Sequence, residues 1–402
     1  MEVPFFRVDL GEAEIAEVVA TLRSGWLTSG PRAARFEAEF AAAVGARHAL
    51  AVSSGTAALH LAVEALGLRP GQAVLVPTMT FAATAEVVRY QGAVPVLVDC
   101  DPVTLNLSLD DAEAKLAALA AGELPVSRDL AAVGIIPVHV GGLMLDVEAV
   151  RRFAAGHGLW LVEDAAHAFP AAQRVAGTDS WRRCGDDTAA VSCFSFYPNK
   201  TITTGEGGMA VTADDALAER MRSMSLHGLS KDAWGRYTSA GSWDYRIVAP
   251  GYKYNMTDVA AAVGIHQLAR AESLRLARRR LAHRYLEALA GNDLLELPPD
   301  PPDRRHSWHL FPLRLRLGEG GLDRDRFIAD LRGAGIGTSV HWRPLHLHPY
   351  YQETFGWDEH HLPVASAVWR RLVSLPLYPS MRDDEQAHVI RTIVELGRRS
   401  RR

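Results

Sequence analysis

The chain has 402 residues, 48% of them hydrophobic and 22% charged, so it can bury a large core and is no disordered polymer. Its 43 basic and 47 acidic side chains leave a formal charge of −4, too balanced to imply nucleic acid or an anionic membrane surface as partner. The first residues carry no signal-peptide pattern and no apolar run is long enough to span a bilayer, which predicts a cytoplasmic protein. Cys100, Cys184 and Cys193 have neither a metal-type spacing nor the even count of a disulfide framework, so no metal site is expected.

From about residue 50 to 255, short Val- and Ile-rich runs alternate with segments of helical period, and Gly, Pro or Asp marks the junctions. Residues 73–77 read as a buried strand, 82–90 as a helix and 94–99 as the next strand. Further strands are expected at 134–140, 159–162 and 189–194, with a helix at 147–157. Apolar runs without solvent-facing alternation imply a largely parallel sheet covered on both faces. Beyond residue 255 an arginine-rich pattern predicts one long helix over 259–290. The Pro-rich stretch 297–302 ends it, and 308–315 reads as a strand of a smaller α+β unit closed by a helix near 385–398. The expected division is an N-terminal arm (1–30), a large α/β domain (31–257), and a connecting helix with a small C-terminal domain (258–402).

Only four of the basic residues are lysines: Lys115, Lys200, Lys231 and Lys253. Arginine fills the surface role, so a lysine here is expected where an amine that can lose its proton is needed. Lys200 stands between the end of a predicted strand and the glycine-rich turn Gly205-Glu206-Gly207-Gly208. Loops at strand ends are where α/β proteins present reactive groups, and a partly desolvated lysine can form a Schiff base and then carry a proton. Asp164 directly follows the predicted strand at 159–162, which sets a carboxylate at the same sheet edge; Asp is also a common helix cap. Facing a pyridine nitrogen, such a carboxylate would keep it protonated, the condition for pyridoxal phosphate (PLP) to act as an electron sink.

Ser54, Gly55, Thr56 and Ala57 precede an Ala/Leu-rich helix, a composition that suits a phosphate held on backbone N–H groups and equally suits ordinary capping. Ser195 can add a hydroxyl, Phe81 a flat face for a heteroaromatic ring, and His167 a contact to its ring oxygen. The last two also read as core residues.

With these residues in place, the chain resembles the DegT/DnrJ/EryC1/StrS sugar-nucleotide aminotransferases, fold-type I PLP enzymes. The resemblance runs nearly end to end. It is carried by Ser-Gly-Trp-Leu-Thr-Ser-Gly-Pro at 24–31, Ser-Gly-Thr-Ala-Ala-Leu at 54–59, Pro-Val-His at 137–139, Glu-Asp-Ala-Ala-His at 163–167 and Ser-Phe-Tyr-Pro-Asn-Lys at 195–200. Gly-Glu-Gly-Gly at 205–208, Gly-Tyr-Lys-Tyr-Asn-Met-Thr-Asp at 251–258 and Ser-Leu-Pro-Leu at 374–377 complete it. Two positions depart from the common pattern: His167 where many relatives have Gln, and Lys253 and Asn255 within a Gly-Tyr-Asn-Tyr-Arg element. Both variants resemble the branch that aminates C4 of keto-sugars.

The resemblance implies a mostly parallel sheet between helices with a smaller C-terminal α+β domain, and PLP bonded to Lys200 with Asp164 at its ring nitrogen. It places Gly55, Thr56, Ala57 and Ser195 at the phosphate, Phe81 on the ring, and His167 and Asn255 among the cofactor contacts. Trp26, Thr28, Lys253, Tyr254 and His341 are the implied substrate contacts, with 253–255 reaching a partner's site in a homodimer. The implied reaction moves an amino group from L-glutamate to the C4 carbonyl of a dTDP- or UDP-linked 4-keto sugar, with neither nucleic acid nor membrane as partner. A C3 aminotransferase, a sugar dehydratase and a non-catalytic PLP-binding regulator are the rivals. Lys200 speaks against the dehydratase, whose cofactor must stay untethered, and the slight net acidity speaks against a DNA-binding regulator. The aromatic and cationic stretch 227–250, with Trp234, Arg236, Tyr237, Trp243, Tyr245 and Arg246, suits either a nucleotide diphosphate or a dimer surface.

Overall fold

A computed structural model of the protein describes residues 1–229, 246–316 and 323–399; Trp234, Arg236, Tyr237, Trp243 and Tyr245 lie outside these. Helices α1 (Glu12–Ser24) and α2 (Pro31–Val44) precede β1 (His48–Val52). The alternation then runs α3 (Gly55–Ala65), β2 (Gln72–Pro77), α4 (Ala83–Tyr90), β3 (Val94–Val98), α5 (Leu109–Ala121), β4 (Ala131–Ile135), α6 (Val147–Gly156) and β5 (Trp160–Asp164). A hairpin, β6 (Ala172–Arg174) and β7 (Trp181–Arg183), comes before β8 (Val191–Ser195), β9 (Gly208–Thr212), α7 (Asp215–Ser225), α8 (Asp258–Ala269) and α9 (Ala271–Leu289). The rest of the chain forms β10 (Leu295–Glu296), β11 (Arg304–Arg305), β12 (Phe311–Leu315), α10 (Arg324–Gly333), α11 (Pro349–Phe355), α12 (Pro363–Trp369), β13 (Leu372–Leu375) and α13 (Asp383–Arg399).

Seven strands make one sheet in the order β1-β9-β8-β5-β4-β2-β3, and only β9 runs against the others. Both faces are covered. Leu61, Val74, Val76, Leu97, Val162 and Val191 fill one side beneath α3, while Phe36, Phe40, Phe169, Phe194, Phe196 and Ile265 fill the other beneath α2 and α8. The phenylalanines meet edge to face, with Phe40 and Phe194 5.1 Å apart. A second, antiparallel sheet, β10-β12-β13, packs its Phe311, Leu313, Leu315 and Val373 against Tyr285 of α9, Phe327 of α10 and Ile393 of α13. At the N-terminus, Val3 forms a parallel bridge to Ile336 beside this smaller layer.

The sequence-predicted elements need three corrections. The strand expected at 134–140 is β4 and ends at Ile135, because Pro137 has no N–H for the ladder; only Val138 bridges on to Asp164 before a turn at Val140–Gly142. The single helix expected over 259–290 breaks at Arg270, whose guanidinium turns away to Glu14 at 2.9 Å and to Asp9. Of 308–315 only β12 is strand, since Trp308 adopts φ 52° and turns the chain inward.

This topology sets the C-terminal ends of β1, β2, β5 and β8 along one edge, the crevice in which open α/β sheets bind ligands. Val52 and Ser195 both pair with Gly208, which draws the ends of β1 and β8 to either side of it. A Cβ on Gly208 would lie 2.4 Å from the Ser54 carbonyl oxygen, so that approach requires glycine.

Candidate active site

At this edge lies a cavity of about 530 Å³, lined by Gly55, Thr56, Phe81, Asp164, His167, Ser195, Lys200 and His341 among others. Its α3 end is a cradle. Ser54 caps the helix by accepting the Ala57 N–H at 3.0 Å, and the preceding N–H groups, of Gly55 and Thr56, are those a helix leaves without intrahelical partners. A Cβ on Gly55 would sit 2.9 Å from Ser195 Cβ, so glycine lets the two segments close around an anion. Ala57 was expected to contribute to this cradle, but its N–H is already engaged by Ser54.

Asp164 lies at the opposite side, nearly fully buried. Its Oδ1 accepts the Ala166 N–H at 3.1 Å, and its Oδ2 accepts the Thr84 hydroxyl at 2.7 Å. Thr84 has one hydroxyl proton and spends it on Asp164, so Thr80, 2.7 Å away, donates to Thr84. Burial raises the Asp164 pKa; the Thr84 and Ala166 hydrogen bonds and the Lys200 charge oppose the rise. Lys200 lines the same cavity. Burial lowers the amine from its ordinary 10.5 to about 8, with the nearby Asp164 charge pulling upward and the Arg278 charge downward. Of the other described lysines, Lys115 is bound to Asp111 at 3.1 Å and Lys253 to Asn255, so Lys200 is the one that reaches the cavity.

His167 is held by its surroundings in one tautomer. Its Nδ1 accepts the Gly141 N–H at 3.3 Å, which leaves the proton of the neutral ring on Nε2. Burial, with the Lys200 charge adding to it, keeps this ring uncharged at neutral pH. Trp342 stacks on it at 5.1 Å and His309 packs against it at 4.2 Å. Phe81 is 64% exposed beside the cavity, an open aromatic face rather than a core residue. His341 lines the cavity with Nδ1 2.9 Å from Ser374 Oγ.

Five expected contacts are not brought to the cavity of their own chain. Trp26 Nε1 donates to the Ser29 carbonyl at 3.1 Å, and the Thr28 carbonyl accepts the Asp258 N–H at 3.1 Å. Lys253 is exposed, Tyr254 OH meets His60 Nδ1 at 3.0 Å, and Asn255 Nδ2 donates to Ser29 at 2.7 Å. Conversely, Thr84 and His309 belong to the site's surroundings without a role having been expected of them, while Asn199, Glu206 and Trp342 lie in segments whose resemblance to the family places them near the site. Thr84 carries a weak local signal, four residues after Thr80 at a helix start; His309 arrives from a segment more than a hundred residues beyond Lys200 and has none, whereas Trp342 lies in the stretch 339–346 that resembles a family element near the site.

Beneath Asp164, its neighbour Glu163 points to the other face of the sheet, as strand alternation requires. It accepts hydroxyls from Thr188 at 2.5 Å and Ser192 at 2.6 Å, and lies 3.4 Å from His139 Nε2 and 3.8 Å from Cys184 Sγ. His139, Glu163 and Cys184 have the donor types of a metal site. However, the Leu145 N–H is donated to His139 Nδ1 and places the neutral ring's proton on Nε2, which leaves neither ring nitrogen a lone pair for a metal. Burial alone would raise the Glu163 pKa, but these hydrogen bonds outweigh it and lower it. Glu163→Leu, which strands several buried donors, is expected to cost about 3 kcal/mol of stability; an unchanged denaturant midpoint would count against the network.

The arrangement suits PLP. It offers an anion cradle that a side chain on Gly55 would fill, a hydroxyl, a carboxylate, an amine with a lowered pKa, and two buried polar atoms without partners among the described residues, His309 Nδ1 and Asn199 Oδ1. Fold and site together define a fold-type I PLP-dependent aminotransferase. The comparisons with known proteins are specific: the model of the DegT/DnrJ/EryC1/StrS aminotransferase family matches residues 8–394, and the chain belongs to that family. It is 44% identical to the spore coat polysaccharide biosynthesis protein SpsC of Bacillus subtilis over 397 residues, 98% of this chain and 97% of that one. Among solved structures it is similar to Spr1654 of Streptococcus pneumoniae, described as a putative sugar aminotransferase, in its PMP form, with a TM-score of 0.87 and 30% identity over 100% of this chain and 98% of that one. Spr1654 is also known in a PLP form. The S. venezuelae enzyme DesV, in complex with a ketimine intermediate, gives a TM-score of 0.84 at 33% identity over 98% of each chain. PLP is accordingly the cofactor of this chain.

Proposed function

We propose that the protein transfers an amino group from L-glutamate to the C4 carbonyl of a dTDP- or UDP-linked 4-keto sugar, working in the cytoplasm as a homodimer with shared active sites. The observation that carries the reading is that Lys200 and Asp164 line one cavity together with Gly55, Thr56 and Ser195. When bound, PLP supplies the carbonyl that takes up the amino group and a ring that withdraws electrons. Lys200 holds the cofactor covalently and, once released, moves the proton at the donor's α-carbon. Asp164 would hold a proton at the ring nitrogen, and His167, protonated on Nε2, would donate to the ring oxygen. The Gly55 and Thr56 N–H groups and the Ser195 hydroxyl bind the phosphate, and Phe81 covers one ring face.

A nucleotide-linked substrate is supported by what adjoins the site. Phe81 and Trp342 also line a second cavity, of about 660 Å³, together with Glu86, Arg89, Tyr90, Arg343, His348 and Tyr350. Cationic and aromatic groups of this kind suit a diphosphate and a base. The relative SpsC, named for polysaccharide biosynthesis, supports a sugar acceptor. A homodimer is supported by the exposed apolar side chains of α1, Ile15, Val19 and Leu22, followed by Trp26 and Leu27, a surface of the kind that subunits cover. For the cellular compartment, no helix among the described residues is long and apolar enough to cross a membrane.

The test loads the enzyme with glutamate and follows return of the cofactor's visible spectrum as C4- and C3-keto nucleotide sugars are offered. Return with C4-keto substrates alone is the expected result. Return only with C3-keto sugars would move the reaction to C3, and silence with every keto-sugar would reject the reading.

A further inference from the structure

Arg278, on the inner face of α9, is only 3% exposed, and no carboxylate lies within ion-pair distance of it among the described residues. Its guanidinium faces main-chain carbonyls instead. Nη1 donates to Leu377 at 2.8 Å and, at longer range, to His309 at 3.3 Å and Trp308 at 3.4 Å; Nη2 donates to Asn199 at 3.4 Å. Three separate segments meet on one side chain: the loop that carries Lys200, the turn that carries His309, and the stretch following β13. Only a planar fork of several donors reaches them together.

The two cavity-lining residues on this fork, Asn199 and His309, have side-chain atoms, Oδ1 and Nδ1, that are buried with no hydrogen-bond partner. Their positions therefore depend on how the main chain is held. We propose that Arg278 is a positioning residue for transamination, a buried cation that fixes the Lys200 loop against the His309 turn through backbone carbonyls. The inference rests on Lys200 being the residue that bonds the cofactor.

Its charge has a second effect. The groups around Lys200 are Asp164 at the end of β5, Glu206 before β9, the imidazoles His167, His309 and His341, and Arg278 below. Burial lowers the pKa of all three imidazoles, to about 4 for His341, so near pH 8 they carry no charge. Asp164 favours the ammonium form of Lys200 and Arg278 the free amine. A free amine is the form that attacks a carbonyl, so attachment of PLP rises as the pH passes upward through about 8. Loss of the Arg278 charge moves that rise to higher pH.

The experiment adds PLP to cofactor-free protein across a pH series, traps the lysine adduct with borohydride and quantifies it by mass spectrometry, for wild type, Arg278→Met and Arg278→Lys. Arg278→Met is expected to shift the midpoint to higher pH. Arg278→Lys, which keeps the charge and loses the fork, is expected to keep the midpoint and slow attachment by about tenfold through misplacement of the loop. A folded Arg278→Met protein that attaches PLP at the wild-type rate overturns the proposal. Should that variant fail to fold, Arg278→Lys decides, a wild-type rate overturning it and a slower rate at an unchanged midpoint supporting it. Failure of the wild type to form any Lys200 adduct would strike the assignment of Lys200 instead.

Discussion

Lys200→Ala is expected to reduce amino transfer by a factor of about 10²–10⁴, the usual loss when a positioned proton carrier is removed. The effect is large because nothing nearby can substitute: the imidazoles of His167, His309 and His341 line the cavity, but burial lowers the pKa of each, so they bind protons poorly. A lysine of ordinary basicity would also be a poor replacement. At pH 8 the amine at position 200 is about half uncharged, given its pKa of about 8, whereas one near 10.5 would be almost wholly protonated. Two measurements separate the roles. Borohydride reduction of the wild type should leave the cofactor's mass on the peptide containing Lys200 and on no other, and small primary amines added to Lys200→Ala should restore part of the lost rate. An adduct on another residue, or turnover of the variant at the wild-type level, would remove Lys200 from the chemistry.

The features legible in the sequence are those whose chemistry is local. Lys200 stood out because arginine occupies almost every other basic position, and the Ser54–Ala57 run reads as an anion cradle because a helix start and its first N–H groups lie within four residues. The largely parallel sheet followed from apolar runs that do not alternate. Neither β9 nor its reversal did: residues 208–212 are not among the strands expected from the sequence, and burial on both faces gives no sign of direction. Contacts made by folding were equally hidden. Arg270 is as good a helix former as its neighbours, and nothing local marks the turn it makes, at φ −98° and ψ −2°, between α8 and α9. Arg278 looked like one more arginine of an arginine-rich helix until burial set it apart. The convergence of His309 and Trp342 on His167 joins segments that no spacing rule relates.

Asp164→Asn is the second large expectation: amino transfer falls by about 10²–10³, the typical cost of removing one preorganised electrostatic partner, while attachment of PLP to Lys200 persists. The isosteric amide keeps the volume and can still accept the Thr84 hydroxyl, but its second group is a donor facing the Ala166 N–H and carries no charge to hold a proton on a ring nitrogen. Burial raises the Asp164 pKa, so in the cofactor-free protein the carboxylate is short of positive charge despite Lys200. A cationic ring supplies that charge, and by linkage its binding favours the ionised carboxylate. The sign is then fixed: affinity for PLP weakens as the pH falls through the Asp164 pKa, because the protonated acid no longer pairs with the ring. In Asp164→Asn the part of the loss that follows Asp164 should vanish, leaving only the loss that accompanies protonation of Lys200, with affinity below wild type throughout. Titrating cofactor affinity against pH for both proteins decides the matter. A variant that retains turnover within a few-fold of wild type, or wild-type affinity indifferent to acid, would mean that Asp164 caps its own turn and nothing more.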